Sequence, residues 1–231
     1  MILALAGQKG GAGKSTVAIS IAAELVARKR KVLLVDADPQ GTARTWGDVA
    51  SEAGHPLPTI IAMGATMHRP DQLPRVAGGY DHVVIDCPPR HGEIQRSALM
   101  VADAVLLPCG PSAADAWALA SSVELVTEGR ALRPELAASI VITRKQVNTA
   151  LSKGARDVLA QSGLPVLATE LGYRVAFAEA LGAGQGPTTY APKDAAAAEV
   201  RALVDELLTA ERKRHAQEAP ARKPAKAPRG R

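Results

Sequence analysis

Two lysines, three glycines and a Ser-Thr pair are packed into eight residues near the start of the chain, Lys9-Gly10-Gly11-Ala12-Gly13-Lys14-Ser15-Thr16. Gly10, Gly11 and Gly13 let the backbone curl so that successive N–H groups point inward, with no Cβ in the way of an approaching phosphate. Lys14 has the reach to meet β- and γ-phosphates, and the Ser15 hydroxyl is a magnesium ligand of the right type. The stretch is therefore a candidate site for the phosphates of a nucleotide with Mg²⁺, cradled by residues Gly10 to Thr16. The strict phosphate-loop spacing asks for glycine at position 8, where Gln8 stands, and the chain offers a second lysine, Lys9, instead.

The flanking elements put this loop in the right place. An apolar run, Ile2 to Ala6, reads as a buried strand, and Val17, Ile21 and Leu25 recur on one face of a following helix. Strand, glycine turn and helix start together make an anion site at a positive helix end. A second strand, Lys31 to Asp36, ends in Asp36-Ala37-Asp38-Pro39-Gln40-Gly41, and a fourth, Tyr80 to Asp86, ends in Asp86-Cys87-Pro88-Pro89. Carboxylates at such strand ends face the ligand crevice of an open α/β sheet. Asp36, Asp86 and Ser15 are the candidate metal residues, and Asp86 has the place of a Walker B aspartate. Further strands are expected over Pro58 to Met63, Ala104 to Pro108 and Ser139 to Thr143, with a short seventh before Leu167 and a short helix over Asp71 to Val76. Ser112 is placed to cap a helix running to about Arg130. A last helix, Asp194 to Arg214, carries Val200, Leu203, Val204, Leu207 and Leu208 as one docking stripe. The fold class expected is α/β: a doubly wound, mostly parallel sheet with helices on both faces.

Lys9 to Thr16 resembles the deviant Walker A motif of the ParA/MinD family of partitioning and positioning ATPases. The resemblance covers about residues 1 to 210. Gln8 is similar to the ParA branch, Asp36 to Gln40 to the family's switch I, and Asp86 to Pro89 to its switch II. It implies that Lys14 serves its own nucleotide while Lys9 reaches that of a second subunit. It also implies that Asp38 positions or activates the attacking water, so that Lys9, Lys14 and Asp38 are the catalytic set. Pro111 to Asp115 is similar to a family loop near the dimer interface. Arg90 to Glu93 replaces the small residues usual after switch II, leaving Arg90 to meet nucleotide, partner or solvent. Arg144 or Asn148 is implied near adenine, whose end of the pocket is expected around Gly186 to Tyr190. Tyr173 to Gly186, with its arginine and three glycines, is expected to depart from plain helix.

Composition bounds the rest. The 231 residues suffice for one α/β domain, and with 47% apolar but only 3% aromatic residues the core must be built from Val, Leu, Ile and Ala. No run of 18 apolar residues and no signal peptide is evident, so a cytoplasmic protein is expected, and the family resemblance implies association with the nucleoid. Cys87 and Cys109 lack metal-ligand spacing and read as free, buried thiols. The net charge is +5, but residues 212–231 alone carry eight Lys/Arg against one acid, +7, which leaves −2 for residues 1–211. Residues 1–214 are expected to form the ATPase domain, and 215–231 a disordered basic tail. DNA-binding candidates are Arg174, Lys193 and Arg201 near the last helix, and Arg212, Lys213 and Arg214 leading into the tail.

The function implied is a ParA-like ATPase. ATP closes a homodimer that binds DNA non-specifically, and a ParB-like or other cargo adaptor triggers hydrolysis and release. A MinD-like membrane role is the alternative, but no Leu, Ile, Val, Phe or Trp follows Leu208 to form a membrane-binding face. An iron–sulfur ATPase with bridging cysteines and a non-hydrolysing scaffold are the remaining readings. The first needs cysteines bridging two subunits, for which Cys87 after Asp86 and Cys109 after a strand are the candidates, and a colourless purified protein would dismiss it; the second conflicts with the presence of Lys14, Ser15, Asp38 and Asp86.

Overall fold

A computed structural model describes residues 1–90, 92–146 and 150–218. His91, Asn148 and the chain from residue 219 lie outside the described residues. In chain order the elements are β1 (Ile2–Leu5), α1 (Lys14–Ala27), β2 (Val32–Asp36), α2 (Thr42–Glu52), β3 (Thr59–Ala62), α3 (Leu73–Ala77), β4 (His82–Asp86) and α4 (Gly92–Leu99). Then follow β5 (Ala104–Cys109), α5 (Ala113–Leu132), β6 (Ala137–Lys145), α6 (Ala150–Ala160), β7 (Val166–Gly172), α7 (Val175–Gly182), α8 (Pro187–Tyr190) and α9 (Ala195–Glu218).

The strands form one sheet in the order β3-β2-β4-β1-β5-β6-β7, and every pairing is parallel. The alternation of side chains across each strand divides the core in two. Leu3, Leu5, Leu34, Val84 and Leu106 face α1, α2, α7 and α9, where Ile21, Trp46, Phe177 and Leu203 cover them. Ala4, Val35, Ile85, Val105 and Ile140 face α4, α5 and α6, covered by Leu99, Leu125 and Leu159. The connection leaving β1 thus goes to one face and that leaving β4 to the other. Since β1 and β4 are neighbours, a crevice opens at their carboxyl ends, where open α/β sheets bind ligands. Register brings Leu5, Asp86 and Asp36 side by side along that edge.

Three expectations need refinement. Tyr173 to Gly186 departs from plain helix at Tyr173, Arg174 and Ala183 to Gly186, as expected, but α7 occupies Val175–Gly182 between them, because its Ala-rich sequence favours helix and Ala176, Phe177 and Ala180 are buried. The seventh strand extends to Gly172. The last helix continues beyond Arg214 to Glu218, and Ala216, Gln217 and Glu218 are helix formers with the first proline only at Pro220. Its stripe docks as expected, with Val200, Leu203, Val204 and Leu207 buried. Ser112 caps α5 in a full capping box with Asp115.

Candidate nucleotide site

The loop after β1 turns through left-handed backbone at Gly11 (φ 73°) and Gly13 (φ 92°). A Cβ added at either would meet no atom within 4 Å, so both glycines border open space. α1 then starts at Lys14 with Gly13 as N-cap, no side-chain cap and no acid in its first turn. Its end N–H groups are left for an external acceptor. The cleft above has a volume of about 550 Å³, and Gly13, Ser15, Asp38, Pro89, Arg144 and Tyr173 are among its lining residues. Tyr173 and Val175 are strongly exposed there. The cleft continues along Leu171 to Ala178, whereas Gly186 and Thr189, expected at the adenine end, border a separate hollow beside Ala23 and Val26.

The phosphate loop is pinned from beneath by three side chains that sequence reasoning missed. Buried Gln95 accepts from the Gly7 N–H at 3.2 Å and donates to the Pro88 carbonyl at 2.7 Å, tying the loop to the segment after β4. Ser122 Oγ accepts from the Gln8 N–H at 3.1 Å. Thr143 Oγ1 donates to the Ala12 carbonyl at 3.0 Å. Of these only Thr143 left a trace in the sequence, as the polar residue closing the apolar strand Ser139 to Ile142.

The two loop lysines are placed differently. Lys14 is buried and its ammonium donates to the Lys9 carbonyl at 3.0 Å. Burial pulls its pKa down, against the opposing charges of Asp86, Cys87 and Asp38. Lys9 turns instead to Asp115 in α5, with Nζ 2.6 Å from Oδ1. Arg144 Nη2 reaches the same oxygen at 3.3 Å. The Ser112 hydroxyl and N–H bond Oδ2 at 2.5 and 3.2 Å. Burial raises the Asp115 pKa, but Lys9 and Ser112 more than offset it and the carboxyl stays below its ordinary range. Gly110 makes room for this cluster, since a Cβ there would lie 2.4 Å from Asp115 Oδ2.

The three candidate aspartates also separate by environment. Both Asp36 oxygens are engaged: Oδ1 accepts from the Asp38 N–H at 3.2 Å, Oδ2 from the Arg44 N–H at 3.0 Å and from its guanidinium at 3.3 Å. Asp36 therefore organises the Asp-x-Asp turn. Asp38 lines the cleft, and its Oδ1 accepts from the Gln40 N–H at 2.9 Å. Asp86 is fully buried and neither carboxylate oxygen has a hydrogen-bond partner. Burial pushes its pKa up to about 7; the nearby Ser15 hydroxyl pulls it down without a regular bond, Asp36 and Asp38 add to the rise, and Lys14 opposes it. A buried carboxylate with no regular hydrogen bond, beside the Ser15 hydroxyl and with open glycine backbone above, fits magnesium and a triphosphate. Cys87 and Cys109 are free and buried; burial pushes Cys109 up to about 12 and Cys87 up as well.

The cationic candidates fall into two separated groups. Arg174 lines the cleft and is held by Glu199, with Nη2 2.6 Å from Oε1. Arg201 donates to the Pro192 and Thr188 carbonyls, and Lys193 is exposed before α9. At the far end of α9, Arg214 donates to the Asp103 carbonyl at 2.7 Å, Arg212 to Thr209, and Lys213 is exposed. Lys193 and Lys213 stand about 30 Å apart along the helix. Arg90 is exposed, with φ 59°, next to the cleft residue Pro89.

Residues 3–188 match the CobQ/CobB/MinD/ParA nucleotide binding domain. The chain is 32% identical over 210 residues to the maintenance of carboxysome distribution protein A of Halothiobacillus neapolitanus, covering 89% of this chain and 95% of that protein. It is 31% identical to the chromosome-partitioning ATPase Soj of Thermus thermophilus, covering 89% of this chain and 94% of Soj. Among solved structures it superposes on apo McdA of Cyanthece (TM-score 0.72, 17% identity, 89% and 98% of the two chains). It also superposes on the Pyrococcus furiosus cell division ATPase MinD (TM-score 0.71, 20% identity, 90% and 98% of the two chains). Identity this low establishes the fold alone; the match across residues 3–188 establishes more, and the chain belongs to the CobQ/CobB/MinD/ParA family of nucleotide-binding proteins.

Proposed function

We propose that this chain is a ParA-type ATPase that cycles between a monomer and an ATP-bound homodimer, binds DNA without sequence preference, and is released when an adaptor on its cargo stimulates hydrolysis. The observation that carries the reading is the position of Lys9. Its ammonium is parked on Asp115 of its own chain, outside the phosphate cradle that Lys14 fills, and its side chain is 37% exposed. A lysine so held is available to a second copy's nucleotide. The curated relatives point to positioning work, carboxysome distribution in one and chromosome partitioning in another.

In this reading the Gly10 to Thr16 backbone and Lys14 bind the β- and γ-phosphates. Ser15 is the direct magnesium ligand, and Asp86 lies in the layer behind it. Magnesium would supply charge neutralisation on the phosphates. Asp38, on the cleft wall, orients the attacking water and accepts its proton, and Lys9 from the partner copy stabilises charge on the transferred group. Hydrolysis by the lone chain is then slow, because one cation arrives only on dimerisation. No helix among the described residues is long and apolar enough to cross a membrane. Size-exclusion chromatography with light scattering tests the proposal: dimer with ATP and monomer with ADP are expected. Equal association with both nucleotides contradicts it.

A further inference from the structure

Asp115 Oδ1 is shared by two cations, Lys9 at 2.6 Å and Arg144 at 3.3 Å, while Oδ2 is filled by Ser112. We propose that Arg144 is a positioning residue that releases Lys9: it keeps the buried Asp115 carboxylate paired when the lysine leaves for a second copy's nucleotide. The proposal rests on the dimer reading above.

The need for such a residue follows from burial. The Asp115 side chain is 6% exposed. Removing one partner of a buried ion pair is strongly unfavourable, because the remaining charge is left uncompensated. With Lys9 as sole partner, the latch would hold the lysine against its departure. Arg144 changes that balance in both states. While Lys9 is docked, two like charges on one oxygen repel and weaken the hold. After Lys9 leaves, the guanidinium, charged at any working pH and presenting several N–H groups, takes over the vacated oxygen.

The surroundings are built for it. Gly110 leaves the space, since a Cβ there would lie 3.0 Å from Arg144 Nη2. Arg144 adopts φ 52°, a left-handed backbone unusual for a residue with a side chain. Its neighbour Thr143 is bonded to the phosphate loop through the Ala12 carbonyl. The Arg144 side chain is 41% exposed and borders the cleft, so it is free to shift towards Asp115 without unpacking the core.

The test is a double-mutant cycle on the full chain. The ATP concentration giving half-maximal dimer is measured by light scattering for wild type, Arg144→Gln, Asp115→Asn and the double variant. Each midpoint is expressed relative to that variant's own affinity for fluorescent ADP, which removes any direct effect on nucleotide binding. Arg144→Gln is expected to raise the relative midpoint roughly tenfold. In the Asp115→Asn background, with no carboxylate to compensate, the same substitution is expected to change it less than twofold. Arg144→Lys, which keeps a charge, is expected to lie between wild type and Arg144→Gln. An Arg144→Gln protein that dimerises like wild type, or an effect that persists in full in the Asp115→Asn background, overturns the proposal while leaving the dimer reading intact. A wild type that never dimerises with ATP overturns both.

Discussion

The Lys14 ammonium donates to the carbonyl oxygen of Lys9 at 3.0 Å, so one loop lysine is held by the backbone of the other. That bond closes the loop around the place where phosphate would sit, and it fixes the Lys9 backbone while the Lys9 side chain turns to Asp115. The two lysines therefore have separable jobs. Lys14→Ala is expected to abolish nucleotide binding, measured with fluorescent ATP. Lys9→Ala is expected to keep measurable binding and to lose the ATP-dependent dimer. A Lys14→Ala protein with wild-type affinity would contradict the assignment of the phosphate loop.

Asp38→Ala is expected to behave oppositely, holding the ATP-bound dimer by blocking hydrolysis. Its carboxylate lines the cleft, whereas Asp36 is committed to Arg44 and the turn. Trp117 provides a built-in reporter. It is 78% exposed in α5, on the side of the helix turned away from the buried Asp115, while Trp46 is only 4% exposed. A dimer interface that covers the exposed side of α5 predicts reduced acrylamide quenching of Trp117 with ATP, persistent in Asp38→Ala. Quenching that ignores nucleotide would move the interface elsewhere.

Asp86 gives a pH dependence with a definite sign. Its folded pKa is raised from an ordinary 3.8 to about 7. Between these values the folded state holds a proton that the unfolded state has lost, so this group lowers stability as pH rises from about 4 to 7 and adds nothing further above. Asp86→Asn is expected to raise the nucleotide-free melting temperature at pH 7.5 by several degrees and to flatten its fall between pH 4 and 7. It should also weaken magnesium-dependent ATP binding. A melting profile with the same pH slope as wild type would contradict a protonated Asp86.

Much of this site could be read from the sequence, because its parts are local. Lys9 to Thr16 is contiguous, Asp36 and Asp86 each end an apolar run, and a parallel sheet places strand ends along one edge. What escaped were contacts made by residues far apart in the chain. Gln95 lies 88 residues from Gly7, and Thr143 lies 131 from Ala12. Nothing in a single polar residue on a helix announces which loop it will hold. The Lys9–Asp115 pair escaped for the same reason, since the two residues lie 106 apart in the chain. Gly186–Tyr190, expected at the adenine end, borders a hollow separate from the main cleft, whose wall includes Val175, Phe177 and Ala178 of α7.

The proposed DNA binding draws on the least local residues, and their placement decides which variants test it. Arg174 and Arg201 are tied down by Glu199 and by backbone carbonyls, and Lys193 is separated from Lys213 by about 30 Å of helix. One compact patch cannot use both ends of α9. The far end leads into Arg222, Lys223, Lys226, Arg229 and Arg231, five cations with no acid among them. Such a segment gains affinity for a duplex by counterion release without a fixed geometry. Two copies of it in a dimer raise the effective concentration and couple binding to ATP. Since α9 holds its helix to Glu218, the deletion that spares the fold is of residues 219–231. It is expected to weaken binding to random-sequence DNA in the presence of ATP. It is also expected to reduce the slope of log affinity against log salt by up to about 4.5 per chain, with ATP hydrolysis nearly unchanged. Replacing Arg212 and Lys213 by alanine should cost less. If affinity and slope survive the deletion intact, the phosphate contacts belong to the body, and Lys193 with the N-terminal end of α9 becomes the surface to mutate.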